Sequence, residues 1–244
     1  MFDLDNTLHD ASHAAFGETN AAMNDYLVAE LGVDLGEAGR LRQEYLRRYG
    51  ATLLGLVRHH GVKASHFLEA THRHPGLEQR VRTSAHDRAA LKRLRGRKFI
   101  LTNAPRAYAM RVLDTLKLTG LFDGIVCIED MTMFGDLRPK PDARMYRHLA
   151  ARLKVRPSDC VLVEDVLENQ RTARGVGMRT AWMRRYLEGR YRGALRGGST
   201  SGFNNASRAS AGNPSGGVEV GVHPCPSPRY VCAKMNSLLT LLRL

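Results

Sequence analysis

Two carboxylates two residues apart, Asp3 and Asp5 in FDLDNT, can between them break an ester bond to phosphorus. A carboxylate that attacks phosphorus forms an aspartyl-phosphate, which divides one difficult hydrolysis into two easier displacements. Asp3 is the candidate nucleophile. In an extended segment Asp5 would point the same way, but a turn directly after the strand lets it reach over the leaving oxygen as general acid and then activate water as base. Three further stretches complete such a chemistry: KFILT, which ends in Thr102 and is followed by Asn103; RPKPD, centred on Lys140; and CVLVE, which ends in Glu164 and is followed by Asp165. Mg2+ prefers a few carboxylates at about 2.1 Å together with waters and substrate oxygens. Asp3, the backbone carbonyl of Asp5, and Asp165 are the candidate ligands, with Glu164 acting mainly through water. Thr102 and Lys140 would donate to phosphoryl oxygens, where the transition state gathers charge. Lys140 would also hold Asp3 and Asp165 ionised.

These residues need a frame that brings four chain segments to one edge. Helical periodicity over 12–31, 36–49 and 52–60, punctuated by Gly32, Gly50 and Gly61, predicts a helical block early in the chain. From Arg97 onward short apolar runs alternate with helical ones. Strands are expected at 98–102, 124–128, 160–164 and 179–183, with helices from Pro105 to about residue 118, at 142–153 and at 167–174. That alternation implies an α/β fold with a parallel sheet covered by helices on both faces. Ligands bind such sheets at the carboxyl ends of the strands, where the candidate residues fall.

Composition limits the alternatives. The chain has 244 residues, 43% of them hydrophobic, enough for a core domain plus a smaller insertion and incompatible with disorder along most of its length. No apolar run approaches the roughly 20 residues of a bilayer span, and no secretory leader is visible, so a cytoplasmic protein away from the membrane is expected. Cys127, Cys160, Cys225 and Cys232 form no CxxC pair and read as free thiols. The net charge is +13, of which +7 falls from Arg184 onward. Residues 189–228, rich in Gly, Ser, Asn and Arg, read as a flexible insertion, and 229–244 as a C-terminal helix packing on the core.

FDLDNTLHD, LTNAP, RPKPD and VEDVLEN, in that order, resemble the four motifs of the haloacid dehalogenase (HAD) superfamily of phosphohydrolases. The stretch YGATLLGL (49–56) followed by His59, together with MFGDLRPKPD (133–142), resembles the pyrimidine 5'-nucleotidase branch. The resemblance implies a Rossmann-like core over 1–11 and 87–188 with a helical C1 cap over 12–86, inserted after the first strand. It also implies Mg2+-dependent removal of phosphate from a small phosphomonoester such as UMP or CMP, with a sugar phosphate or phosphoglycolate as the alternative substrate. Tyr49, Thr52 and His59 are the substrate-contacting candidates of the cap, and Asn103 of the core. Dehalogenases that share this fold lack a second acidic residue two positions after the first aspartate, and P-type ATPases carry threonine there. Asp5 therefore points to an alkoxide leaving group, in a phosphomonoesterase or a phosphomutase.

Several residues carry two readings. Asn169 either orients the metal shell or faces an adjacent loop, and Asn103 and Asn6 are either turn residues or orienters of their neighbours. His60, His66, His72, His74 and His86 match no zinc spacing and read as surface or cap-packing residues. The Arg/Gly-rich tail raises a rival class, a basic nucleic-acid-associated protein without catalysis, although beyond nonspecific tail contacts no reading module supports it. A catalytically silent scaffold is a third reading. The state of assembly is expected to be monomer or homodimer. Relatives of the resembled branch begin the first strand several residues earlier, so an apolar extension of about five residues is expected to raise the melting temperature by several degrees, measurable in a thermal melt.

Overall fold

The computed structural model describes residues 1–186 and 232–243; the expected flexible insertion at 189–228 lies outside the described residues. A run of helices comes first: α1 (Ala11–Ala14), α2 (Phe16–Leu31), α3 (Leu35–Tyr49), α4 (Thr52–His60), α5 (Ala64–Thr71), α6 (Leu77–Arg80) and α7 (Ala85–Arg93). Alternation follows, with β1 (Phe99–Leu101), α8 (Arg106–Thr115), β2 (Gly124–Val126), the hairpin β3 (Thr132–Met133) and β4 (Asp136–Leu137), α9 (Ala143–Arg152), β5 (Val161–Glu164), α10 (Leu167–Gly175), β6 (Arg179–Met183) and β7 (Ala233–Met235). The α/β reading holds.

Residues 1–3 join the sheet in its middle. Phe2 N–H donates to Phe99 O at 2.8 Å and Phe2 O accepts from Leu101 N–H at 2.8 Å on one side. On the other side Asp3 N–H donates to Val163 O and Val163 N–H to Met1 O, both at 2.9 Å. All these pairings are parallel, so the order across the sheet is β2, β1, residues 1–3, β5, β6, β7. Side chains alternate across it with the period of two that pleating imposes. Phe2, Ile100 and Val163 enter a core shared with α7 and α8, while Leu101 and Leu162 enter a second core with α9 and α10. Every candidate residue on a strand therefore sits just past an apolar run that is clamped on both faces.

The helical block has its own apolar cluster, built on Tyr26, Leu27, Tyr45, Leu53, Leu56, Phe67 and Leu68, and Ile128 and Leu137 of the α/β part pack into it. Helices α3 and α4 approach closely because Gly55 has no side chain: a Cβ there would lie 2.1 Å from Tyr45 Cγ. Gly55→Ala should destabilise the protein by about 1–3 kcal/mol, the usual penalty for overpacking, read as a lower urea midpoint with unchanged slope.

The C-terminal segment departs from expectation. Instead of one helix over 229–244, residues 233–235 form strand β7, parallel to β6, and a 3-10 helix covers Leu238–Arg243. The exposed edge of β6 offers unpaired backbone groups, and this tertiary demand overrides the local apolar pattern. Asp87, wholly buried at the start of α7, holds the segment by accepting from Leu238 N–H at 3.0 Å and from the Arg185 guanidinium. Among the described residues no helix is long and apolar enough to cross a membrane.

Candidate active site

At the carboxyl end of the central strands, Asp3, Lys140, Glu164 and Asp165 meet in one buried cluster. Lys140 Nζ donates to Asp3 Oδ1 and to Glu164 Oε2, both at 2.7 Å, and Lys140 is only 2% exposed. Thr7 Oγ1 donates to Asp3 Oδ2 at 3.3 Å, and Val166 N–H to Glu164 Oε1 at 3.2 Å. One carboxylate oxygen from each of Asp3, Glu164 and Asp165 lies within 4.8 Å of the others. Burial, reinforced by the Glu164 charge, pushes the Asp3 carboxyl up to about 7, against the pull of Lys140; burial and the same neighbours raise Asp165 well above the usual carboxylate range. Burial works against the Lys140 ammonium, but Asp3 and Glu164 reverse that and raise it.

This donor set has a chemical preference. Three carboxylates beside one ammonium leave an excess of two negative charges when all are ionised, and each donor is a hard oxygen. A divalent oxygen-seeking cation fits both the charge and the ligand type, as Mg2+ does.

Asp5 lies outside this cluster, on the turn that follows. Asn6 makes the turn with φ 56, a left-handed conformation that asparagine tolerates, and its amide oxygen accepts from Ser12 N–H at 3.0 Å. Asp5 Oδ1 accepts from two donors, Tyr108 O–H at 2.8 Å and His9 Nε2–H at 2.9 Å. Burial by itself would raise the Asp5 carboxyl, but these two donors and the nearby imidazoles hold it below the usual range. Burial and the Asp5 charge raise the Tyr108 phenol, which therefore stays a donor. The rings of His72 and His74 meet Tyr108 edge-on, with centroids 5.9 and 5.3 Å away. Burial pushes His72 down to about 4.

The remaining predicted residues take definite places. Thr102 is buried at the end of β1, where its hydroxyl accepts from Ala104 N–H at 3.0 Å. Asn103 grips the backbone of Lys140 from both sides: its Nδ2 donates to Lys140 O and its Oδ1 accepts from Lys140 N–H, each at 2.9 Å. Asn169 is buried on α10, where its backbone carbonyl accepts from Tyr146 O–H at 3.3 Å. Tyr49 and His59 hydrogen-bond to each other across α3 and α4, and the Thr52 hydroxyl turns back to Arg42 O at 3.4 Å. None of these three makes a described hydrogen bond to the acidic cluster. They come near it through Gly50, where a Cβ would lie 3.4 Å from Pro141, the residue after Lys140. The sequence reading missed Thr7, His9 and Tyr108 entirely, and it placed His72 and His74 among packing residues without linking them to Asp5. Tyr108 lies 103 residues from Asp5 on a helix face indistinguishable from core, so no local pattern marks it.

Comparison with known proteins places this geometry. Residues 1–177 match the family model for haloacid dehalogenase-like hydrolases. The chain is 26% identical over 193 residues to Phosphate metabolism protein 8 of Saccharomyces cerevisiae, an alignment covering 73% of this chain and 59% of that protein. It thus spans less than two thirds of the curated relative's length. Among solved structures it resembles a HAD phosphatase from Thermococcus onnurineus, at 19% identity and a TM-score of 0.56, covering 99% of this chain and 94% of that one. A 2-haloacid dehalogenase from Pseudomonas syringae superposes comparably, at 20% identity and a TM-score of 0.52, covering 99% and 95%. One fold accommodates both a phosphatase and a dehalogenase, so the fold alone does not select the reaction.

Proposed function

We propose that this chain, which belongs to the haloacid dehalogenase-like hydrolases, is a Mg2+-dependent phosphomonoesterase that works through an aspartyl-phosphate on Asp3. The observation that carries the reading is Asp5, a second carboxylate held by two donors on the turn after the nucleophile. A reaction whose leaving group needs no proton has no use for it.

The chemistry follows from the residues. A carboxylate oxygen of Asp3 attacks phosphorus, the bond to the ester oxygen breaks, and that oxygen takes a proton from Asp5, whose protonated form, disfavoured in the free site, is favoured once the negative charge of the phosphate lies beside it. Water then attacks the phosphorus, gives its proton to Asp5, and the bond to Asp3 breaks, so ester and water become alcohol and phosphate. Lys140 neutralises charge between Asp3 and Glu164 and, with Thr102, faces the phosphoryl oxygens. Asp3, Asp165, the carbonyl of Asp5 and, through water, Glu164 would hold Mg2+, which when bound screens the approach of an anionic nucleophile to an anionic phosphate. Asn103 holds the backbone of the lysine, and Asn169 would orient the metal shell.

For substrate, the proposal is a pyrimidine nucleoside 5'-monophosphate. Its support is the block YGATLLGL with His59, carried on the α3–α4 corner that overhangs Pro141. Tyr49, Thr52 and His59 would meet the nucleoside there. The name of the yeast relative is in keeping with phosphate chemistry.

The test is phosphate release from UMP, CMP, dUMP, AMP, phosphoglycolate and sugar phosphates, with Mg2+ or with EDTA. Mg2+-dependent release favouring the pyrimidine nucleotides is expected. Preference for another ester discards the substrate and keeps the mechanism, whereas folded protein that releases nothing from any ester overturns the enzyme reading.

A further inference from the structure

We propose that Tyr108 and His9 are positioning residues for Asp5: by donating together to Oδ1 they turn the carboxylate so that Oδ2 carries the proton to the leaving oxygen. The cap residues His72 and His74 hold Tyr108 in that pose. The inference rests on the phosphomonoesterase reading above.

The terminal torsion of an aspartate is broad, so a carboxylate without fixed partners presents either oxygen. Here both donors converge on the same one, His9 from the turn just after Asp5 and Tyr108 from a helix far along the chain. His9 is fully buried and its Nδ1 has no hydrogen-bond partner among the described residues, so Nε2 carries the polar contacts of that ring, the shorter of them to Asp5. Tyr108 is 2% exposed and its hydroxyl lies 3.4 Å from His9 Nε2, which joins the two donors into one wall. The Asp5 side chain itself retains 19% exposure, so the carboxylate is not sealed from a substrate.

Tyr108 is buttressed by rings that cannot swing freely. His74 is tied through Nε2 to Thr19 Oγ1 at 3.2 Å and through Nδ1 to Glu18 at 3.3 Å, and His72 Nδ1 to Leu68 O at 3.1 Å. Arg111, one turn after Tyr108 on α8, forks onto Glu78 at 2.6 and 3.0 Å and reaches His74 O at 3.0 Å. The helix that carries Tyr108 is thereby fastened to the segment that carries the two imidazoles. Seating of the cap on α8 and orientation of the acid are one arrangement.

A residue that orients a proton donor matters in proportion to how badly the leaving group needs the proton. In the first step the Asp3–phosphorus bond forms, the ester bond breaks and the proton leaves Oδ2 for the departing oxygen; nitrophenolate departs without that help, and an alkoxide does not. The value of kcat/KM reports events up to phosphoenzyme formation, so it isolates this step. In the full-length protein with Mg2+, Tyr108→Phe is expected to lower kcat/KM for UMP, or for another alkyl ester of the panel if UMP is not turned over, by about 30-fold. For 4-nitrophenyl phosphate the loss should stay within about 3-fold. His9→Leu should show the same split, and His9→Gln, which keeps an N–H donor, should recover part of the alkyl-ester rate. Equal losses on both esters, or none on either, overturn the proposal, since a merely structural defect does not discriminate between leaving groups. Wild-type protein that hydrolyses neither ester overturns the phosphomonoesterase reading itself, and this inference with it.

Discussion

Asp3→Asn should abolish turnover, by on the order of 10^4-fold or more, while leaving the protein folded and, without metal, more stable at neutral pH. The amide cannot attack phosphorus, which accounts for the loss. The gain in stability comes from the same buried cluster: the variant keeps the Lys140–Glu164 pair and removes one of three adjacent carboxylates. Its pH dependence has a definite sign. Asp3 titrates near 4 unfolded and at about 7 folded, so between those values the folded state binds more protons and wild-type stability falls as pH rises. His72, lowered to about 4 in the fold, slopes the other way between about 4 and 6.5 in both proteins. The difference between variant and wild type is therefore the quantity to measure. Urea denaturation in EDTA should show the advantage of Asp3→Asn growing from pH 4 to 7 and shrinking on addition of Mg2+. A constant difference across that range, or residual phosphatase activity within tenfold of wild type, contradicts the assignment of Asp3.

The features that could be read in advance share one property: they are local. FDLD, KFILT and CVLVE each couple an apolar run to a polar terminus, so the strand and its functional end are visible together, and the alternation with helices fixes the edge at which they gather. Lys140 was legible because prolines frame it. The surroundings of Asp5 were not, because they are assembled from α8 and the linker after α5, elements with no periodicity that distinguishes a hydrogen-bonding phenol or imidazole from packing. Strand β7 was hidden for a different reason. Residues 233–235 pair only because β6 presents a free edge beside them, a fact about the sheet rather than about the segment.

Lys140→Met removes the cation from a site that then holds three carboxylates and no counter-charge among its described partners. Asp3 Oδ1 and Glu164 Oε2 each lose a 2.7 Å donor in a place water scarcely reaches. Breaking a buried pair from one side costs about 3–5 kcal/mol, so a fall of that size is expected at pH 8 in EDTA. The native ammonium, raised by its two carboxylates, contributes stability below its ordinary range near 10.5 and loses it only at still higher pH, so it adds no slope between pH 5 and 9. Any slope the variant acquires there belongs to the carboxylates. They can escape the loss in two ways, by taking protons or by taking a cation, so stability should recover both at pH 5.5 and with Mg2+ at pH 8. Mg2+ should bind the variant more tightly than wild type even as kcat falls by about 10^2- to 10^3-fold, because affinity follows the net charge of the site while turnover needs a donor facing the phosphoryl oxygens. Lys140→Arg should not restore the rate: its planar fork cannot replace a compact ammonium whose backbone Asn103 holds on both sides. Calorimetric Mg2+ titration of wild type and Lys140→Met, set beside their steady-state rates, separates the two effects; weaker Mg2+ binding in the variant would show that the lysine helps build the metal site rather than competing with it for charge.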